Sequence, residues 1–297
     1  MNAIEFTRLT KTYGKARGVT ELSFSVPEGG FCGFIGPNGA GKSTSIRAML
    51  GLIAPTSGSV SVLGQETRVG KAALREVGYL PSEISFPRGM RVRDVLRLSA
   101  DLRGLDCSAE AKRLCDRLEL DATRRVDALS LGNRKKVGIV CALQHKPRLC
   151  VLDEPTSGLD PLMQRAFYEL LLERNAAGAT VFLSSHVLSE VQRYCRQAAV
   201  IREGRLLAYG DVEALGHTEV RRVTLRGVPN APDLPGVRGA APVPDGVTFL
   251  YSGEPRALLS ALAQLPVADL AIAEPDLEEV FLHFYAKEET SHGSVSA

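Results

Sequence analysis

Gly36-Pro37-Asn38-Gly39-Ala40-Gly41-Lys42-Ser43 decides the fold, because it fits the phosphate-binding pattern G-x-x-x-x-G-K-[ST]. The apolar run Phe31 to Ile35 precedes it and reads as a buried strand, and Thr44–Leu50 follows as a helix. A P-loop requires that strand–loop–helix context. Its glycines let the backbone wrap around an anion, with N–H groups pointing inward and the helix dipole adding positive character. Lys42 is placed to reach the β- and γ-phosphates and the Ser43 hydroxyl to hold Mg²⁺, with Thr44, at the start of the helix, also counted among the nucleotide-binding residues. The competing reading is a glycine-rich turn that matches by accident, and the flanking elements disfavour it. The loop alone implies a nucleoside triphosphate and leaves its use open.

Composition narrows the setting. The chain has 297 residues, 44% of them hydrophobic, enough for a real core in one large domain or two smaller ones. A net charge of +2 gives no electrostatic footprint for nucleic acid. No apolar run approaches the ~18 residues of a membrane span, and the N-terminus lacks a signal-peptide pattern, so a cytosolic chain is expected. The six cysteines form no CxxC pair. Cys32, Cys141 and Cys150 sit in apolar segments and read as buried free thiols.

Outward from the P-loop, Ile4, Phe6, Leu22, Phe24 and Val26 recur with period two, as in half-buried strands. Residues about 88–140 change character: Val92, Val95, Leu96, Leu98 and Leu102 fall at helical spacing and suggest a helical insertion. Leu149–Leu152 and Thr180–Leu183 are short apolar runs expected of parallel strands covered on both faces, with a helix over Pro161–Asn175 between them. Ala198–Ile201 and Arg205–Ala208 flank Glu203-Gly204, a hairpin signal. After about Gly216 the composition shifts, and residues 228–246 show little periodicity. Strands at Val247–Tyr251 and Asp269–Ala273, a helix at Glu254–Gln264 and a final helix from Asp276 are expected. That last helix would be capped by Asp276 and Glu279 and would carry Leu277, Val280, Phe281 and Phe284 on one face. The polar tail 288–297 is expected to be disordered.

Three further motifs carry chemistry. Leu149-Cys150-Val151-Leu152-Asp153-Glu154 has Walker B form: Asp153 can share Mg²⁺ with Ser43, and Glu154 can orient or deprotonate the attacking water. A solvated turn is the bland alternative for such paired acids. Ser184-Ser185-His186 ends the next apolar strand, on the ligand face of an α/β sheet, where His186 can contact the γ-phosphate. Ser130, Leu131, Gly132 and Asn133 head a helix, where they can present N–H groups to phosphate, serve as an N-cap, or both. Arg134-Lys135-Lys136 either adds charge beside that phosphate or forms a solvated basic face.

Together these motifs resemble the nucleotide-binding subunit of ATP-binding cassette (ABC) transporters over residues 2–215. The resemblance implies an α/β fold: a P-loop NTPase core with a mixed, mainly parallel sheet, an antiparallel β subdomain and a helical subdomain. A small C-terminal α+β appendage would follow. The implied domains are 1–216 for the ATPase and 217–287 for the appendage. Thr156-Ser157-Gly158-Leu159-Asp160 matches the family's D-loop, and Tyr13 sits where the family keeps an aromatic that stacks on adenine. ATP and Mg²⁺ are the implied cofactors, with Glu154 and His186 as catalytic residues. In the family two cassettes face head to tail, each signature closing the other's P-loop, and a membrane permease is driven by the motion. The implied partners are therefore a second ATPase subunit, identical or a sister chain, and a separate permease at the cytoplasmic face of the membrane. The segment Pro275–Phe281 resembles that of bacterial drug- and antibiotic-exporter ATPases. A soluble ABC ATPase of translation or DNA repair is the rival reading, as is a non-catalytic nucleotide-gated scaffold.

Two departures from the family pattern stand out. Leu131 replaces the first glycine of Leu-Ser-Gly-Gly-Gln and Asn133 replaces its glutamine. Ser82 stands where the Q-loop glutamine would touch Mg²⁺ and the γ-phosphate, and being shorter it is expected to act through water or not at all. Glu83 is a candidate substitute, at the cost of negative charge near phosphate.

Overall fold

The alternating apolar residues at the start of the chain build an antiparallel sheet. Strand β1 (Asn2–Tyr13) pairs with β2 (Ala16–Pro27), matching Ile4 to Val26, Phe6 to Phe24 and Leu9 to Leu22 on one buried face. The computed structural model describes residues 1–14, 16–68, 72–216 and 220–273. Within it the chain divides into two compact units, Met1–Gly210 and Asp211–Ala297.

In the first unit, β3 (Phe31–Ile35) is buried along its whole length and leads through the P-loop into helix α1 (Lys42–Met49). Strands β4 (Ser57–Val62) and β5 (Gln65–Glu66) extend the antiparallel sheet in the order β2-β1-β4-β5. Next comes β6 (Val77–Leu80), then the helical segment α2 (Val92–Asp101), α3 (Ser108–Arg117) and α4 (Leu131–Leu143). The remaining elements are β7 (Leu149–Asp153), α5 (Pro161–Ala176), β8 (Thr180–Ser185), α6 (Leu188–Tyr194), β9 (Gln197–Arg202) and β10 (Arg205–Asp211). A six-stranded sheet runs β10-β9-β3-β8-β7-β6, and β6, β7, β8, β3 and β9 are mutually parallel where they pair.

This strand order determines where chemistry can occur. Parallel strands end on one edge, so the loops after β3, β6, β7 and β8 share one side of the sheet. The sheets meet over an aromatic cluster: Phe6 stacks on Phe24 at 4.7 Å between ring centroids, and Phe34 lies 5.4 Å from Phe182. Each of these rings is nearly or fully buried. Removing one to alanine would cost about 3–5 kcal/mol. Helix α3 is tied to α5 by ion pairs of Arg113 and Arg117 with Glu173 at 2.9 and 3.1 Å and by Glu110 with Arg174.

The second unit contains α7 (Val212–Gly216), β11 (Val220–Arg226), β12 (Val237–Val243), β13 (Gly246–Ser252), α8 (Pro255–Leu262) and β14 (Asp269–Ala273). Its antiparallel sheet runs β12-β13-β11-β14, and its core gathers Val223, Leu225, Phe249, Tyr251, Leu258 and Leu262. The expected strands and helix at 247–273 are present, but β11 and β12 were not anticipated. In β12, five consecutive exposed residues include a glycine and a proline, and a register shift falls between Arg238 and Ala241. No period-two signal survives such a strand. The expected helix from Asp276, its cap and the tail 288–297 lie outside the described residues.

Candidate functional site

Gly36 opens the loop where β3 ends. A Cβ there would sit 2.3 Å from the Ile201 carbonyl, so only glycine lets the loop leave the sheet this closely. Gly39 and Gly41 adopt φ of 80° and 106°, which turn the loop back over the start of α1. The result is a cavity of about 400 Å³ lined by residues 37–44, Ser82 and Glu154. Lys42 is buried, and its Nζ donates to the carbonyls of Gly36 at 2.5 Å and Pro37 at 3.3 Å.

The Walker B strand contributes two differently held carboxylates. Asp153 is 1% exposed, and its Oδ1 accepts a hydrogen bond of 2.6 Å from Ser184 Oγ. Glu154 begins the following turn with φ of 50°, a left-handed conformation that costs an ordinary residue energy and is kept where the surroundings impose it. Its backbone N–H donates to Ser184 Oγ at 3.2 Å. One serine hydroxyl therefore orients both acids. The Glu154 side chain reaches back to the loop. Its Oε1 lies 3.2 Å from Lys42 Nζ, off the line a hydrogen bond needs, so the contact is an ion pair and this buried oxygen receives no hydrogen bond. Its Oε2 accepts a 2.6 Å bond from His186 Nδ1, which directs Nε2 of that half-exposed ring away from the carboxylate.

His186 is set by the turn after β8. Ser185 Oγ accepts from the Val187 N–H at 2.9 Å and donates to Glu190 Oε2 at 2.9 Å. Lys42 and Glu154 at the cavity wall, with His186 tied to Glu154 from outside the lining, thus form one connected row, an arrangement suited to holding an anionic ligand and orienting a water.

The remaining expected residues fall elsewhere. Ser130 is the N-cap of α4 and accepts from the Asn133 N–H at 3.3 Å, while Leu131 is 64% exposed. A Cβ on Gly132 would meet the Gly158 carbonyl at 2.7 Å, so this turn sits against the chain's own D-loop. None of residues 130–133 lines the P-loop cavity. Asp160 caps α5, accepting from the Met163 N–H at 3.0 Å. Tyr13 is exposed at the end of β1 with Lys11 Nζ 5.2 Å from its ring centroid, and it is not in the cavity wall either. Ser82 lines the cavity, and Glu83, exposed, does not.

Two residues that contact the site lie outside the sequence reading: Ser184, and Lys135, whose Nζ donates to the carbonyl of the cavity-lining Ser82 at 3.1 Å. Ser184 was one polar residue in a triplet, its partner 31 positions away. Lys135 belonged to a basic cluster for which a solvated face was one reading. That reading is overturned: Lys135 and Lys136 are 3% and 8% exposed.

The family model described as ABC transporter matches residues 19–157. The bacitracin transport ATP-binding protein BcrA of Bacillus licheniformis is 38% identical over 211 residues, 69% of this chain and 68% of that protein. The linearmycin resistance ATP-binding protein LnrL of Bacillus subtilis is 30% identical, with 94% of this chain and 97% of that protein covered. A solved ATP-binding subunit of an ABC transporter aligns with a TM-score of 0.67 at 32% identity, covering 72% of this chain and 91% of that one. A dimeric ATP-binding cassette bound to ADP and phosphate aligns at 21% identity with a TM-score of 0.63, covering 70% and 98%, a likeness of fold alone. The chain belongs to the ABC transporter family, as one of its ATP-binding and ATP-hydrolysing subunits.

Proposed function

We propose that this subunit powers export of an antibiotic-like or lipid-like compound through a separate membrane permease, working as one half of a cassette pair at the cytoplasmic face. The observation that carries the paired reading is the separation of the signature from the P-loop cavity within one chain. Ser130 and Leu131, at the head of α4, are exposed and available to another subunit. The export reading rests on relatives named for bacitracin transport, linearmycin resistance and, in Escherichia coli, probable multidrug transport. Among the described residues no helix is long and apolar enough to cross a membrane.

The residues present fit Mg-ATP. The loop glycines form a cradle, Lys42 supplies a buried cation, and the buried Glu154 Oε1 lacks a hydrogen-bond donor that a water would provide. Ser43 and Asp153 offer the hard oxygens a magnesium ion prefers. Bound ATP supplies the phosphoanhydride bond whose cleavage does the work. Lys42, released from Glu154, steadies the phosphates, and Glu154 Oε1 takes a proton from the attacking water. His186, through Nδ1, holds Oε2 so that Oε1 keeps its aim. Ser184 keeps Asp153 and Glu154 in register. Tyr13 is assigned to the adenine and Asp160 to the subunit junction. Residues 217–287 are assigned a supporting, accessory role.

The test is ATP turnover by the purified chain with and without a co-expressed permease. Turnover that the permease stimulates and the transported antibiotic further raises is expected. Equal turnover with and without the permease would favour a soluble role instead.

A further inference from the structure

Lys135 joins two parts of the molecule that the site uses separately. It lies on α4, whose first turn carries the signature, and its Nζ donates to the Ser82 carbonyl at 3.1 Å and the Pro81 carbonyl at 3.5 Å. Ser82 in turn lines the P-loop cavity. A buried ammonium is costly unless it is well partnered. Here the partners are two backbone carbonyls, which exist whatever side chain stands at position 82. Burial holds this amine below the usual lysine range, while the Asp153 and Glu154 carboxylates favour its charged form.

The rest of α4 follows the same segment closely. A Cβ on Gly138 would fall 2.5 Å from Ile84 Cδ1 and 2.9 Å from Leu80 Cδ1, and one on Gly78 only 2.0 Å from the Ala142 carbonyl. Glycines on both partners thus let β6 and the segment after it press against α4. Lys135 adds a directional link to this packing, toward the cavity-lining residue.

We propose that Lys135 is a positioning residue for ATP hydrolysis: it holds the Pro81–Ser82 backbone to α4, so that Ser82 and the signature turn move as one body. The inference rests on the ATPase reading of the P-loop cavity.

The test compares wild type, Lys135→Met and Lys135→Arg as full-length chains assembled with the permease, measuring kcat and KM for ATP and the melting temperature. Lys135→Met should lower kcat about tenfold with KM little changed, the size of effect expected from a small misplacement near reacting groups. Lys135→Arg, which keeps the charge and the donors, should recover most of it. If Lys135→Met does not fold, Lys135→Gln makes the same comparison. A kcat within about twofold of wild type in the neutral variant would overturn the proposal. So would equal losses in Met and Arg variants with matching falls in melting temperature, which mark packing alone. Glu154→Gln, assayed alongside, separates the two levels: if it turns over ATP like wild type, the ATPase reading of the site fails, whatever Lys135 does.

Discussion

Ser184 illustrates how little of the site a single side chain needs to occupy in order to shape it. Its hydroxyl donates to the Asp153 carboxylate and accepts from the Glu154 N–H, so one oxygen fixes both acids. Ser184→Ala should leave a buried carboxylate oxygen without its donor and cost about 1–3 kcal/mol of stability. ATP turnover should fall with it while ATP binding, carried by the P-loop, survives. Chemical denaturation and a nucleotide-binding titration check both; unchanged turnover would remove Ser184 from the site. The P-loop itself was legible in the sequence because its eight residues are contiguous and each has a local job. Ser184 and Lys135 were not, because their partners lie 31 and 53 positions away, and strand pairing brings the first together and the packing of α4 the second.

At the scale of elements, the strands that were easiest to read are those buried on both faces. Leu149–Asp153 and Thr180–Ser185 are buried at every position, so their apolar runs are unbroken. Strand β12 is the opposite case, exposed over Arg238–Pro242, and its sequence carries no period to read. The helix–strand contact of α4 with β6 has its own titratable marker. His145, just past α4, donates from Nε2 to the Val77 carbonyl at 3.3 Å, and burial, reinforced by the Arg103 charge, pushes its pKa down to about 4. In the unfolded chain the same imidazole titrates near 6.5. Between those values the unfolded state binds the extra proton, so stability is complete above pH 6.5 and declines as pH falls toward 4. His145→Gln should flatten that part of the profile. Urea midpoints across the window would show it, and identical pH slopes for the variant and wild type would contradict the assignment.

For the whole molecule, every candidate catalytic and nucleotide-binding residue lies in the first unit, Met1–Gly210. Lys42 and Glu154 line one cavity and His186 is tied to it through Glu154, yet the signature at Ser130–Asn133 is absent from its lining. On the proposed pairing the chain would hold both halves of a site that two chains close, and ATP binding would favour that closure by bonding better to the paired state. The most direct measurement is light scattering of the Glu154→Gln chain with and without Mg-ATP, read together with its ATP turnover. The account predicts a 31.9 kDa monomer without nucleotide, and with ATP a dimer that retains its ATP unhydrolysed. A chain that stays monomeric at saturating ATP, or that hydrolyses it at near the wild-type rate, would contradict it.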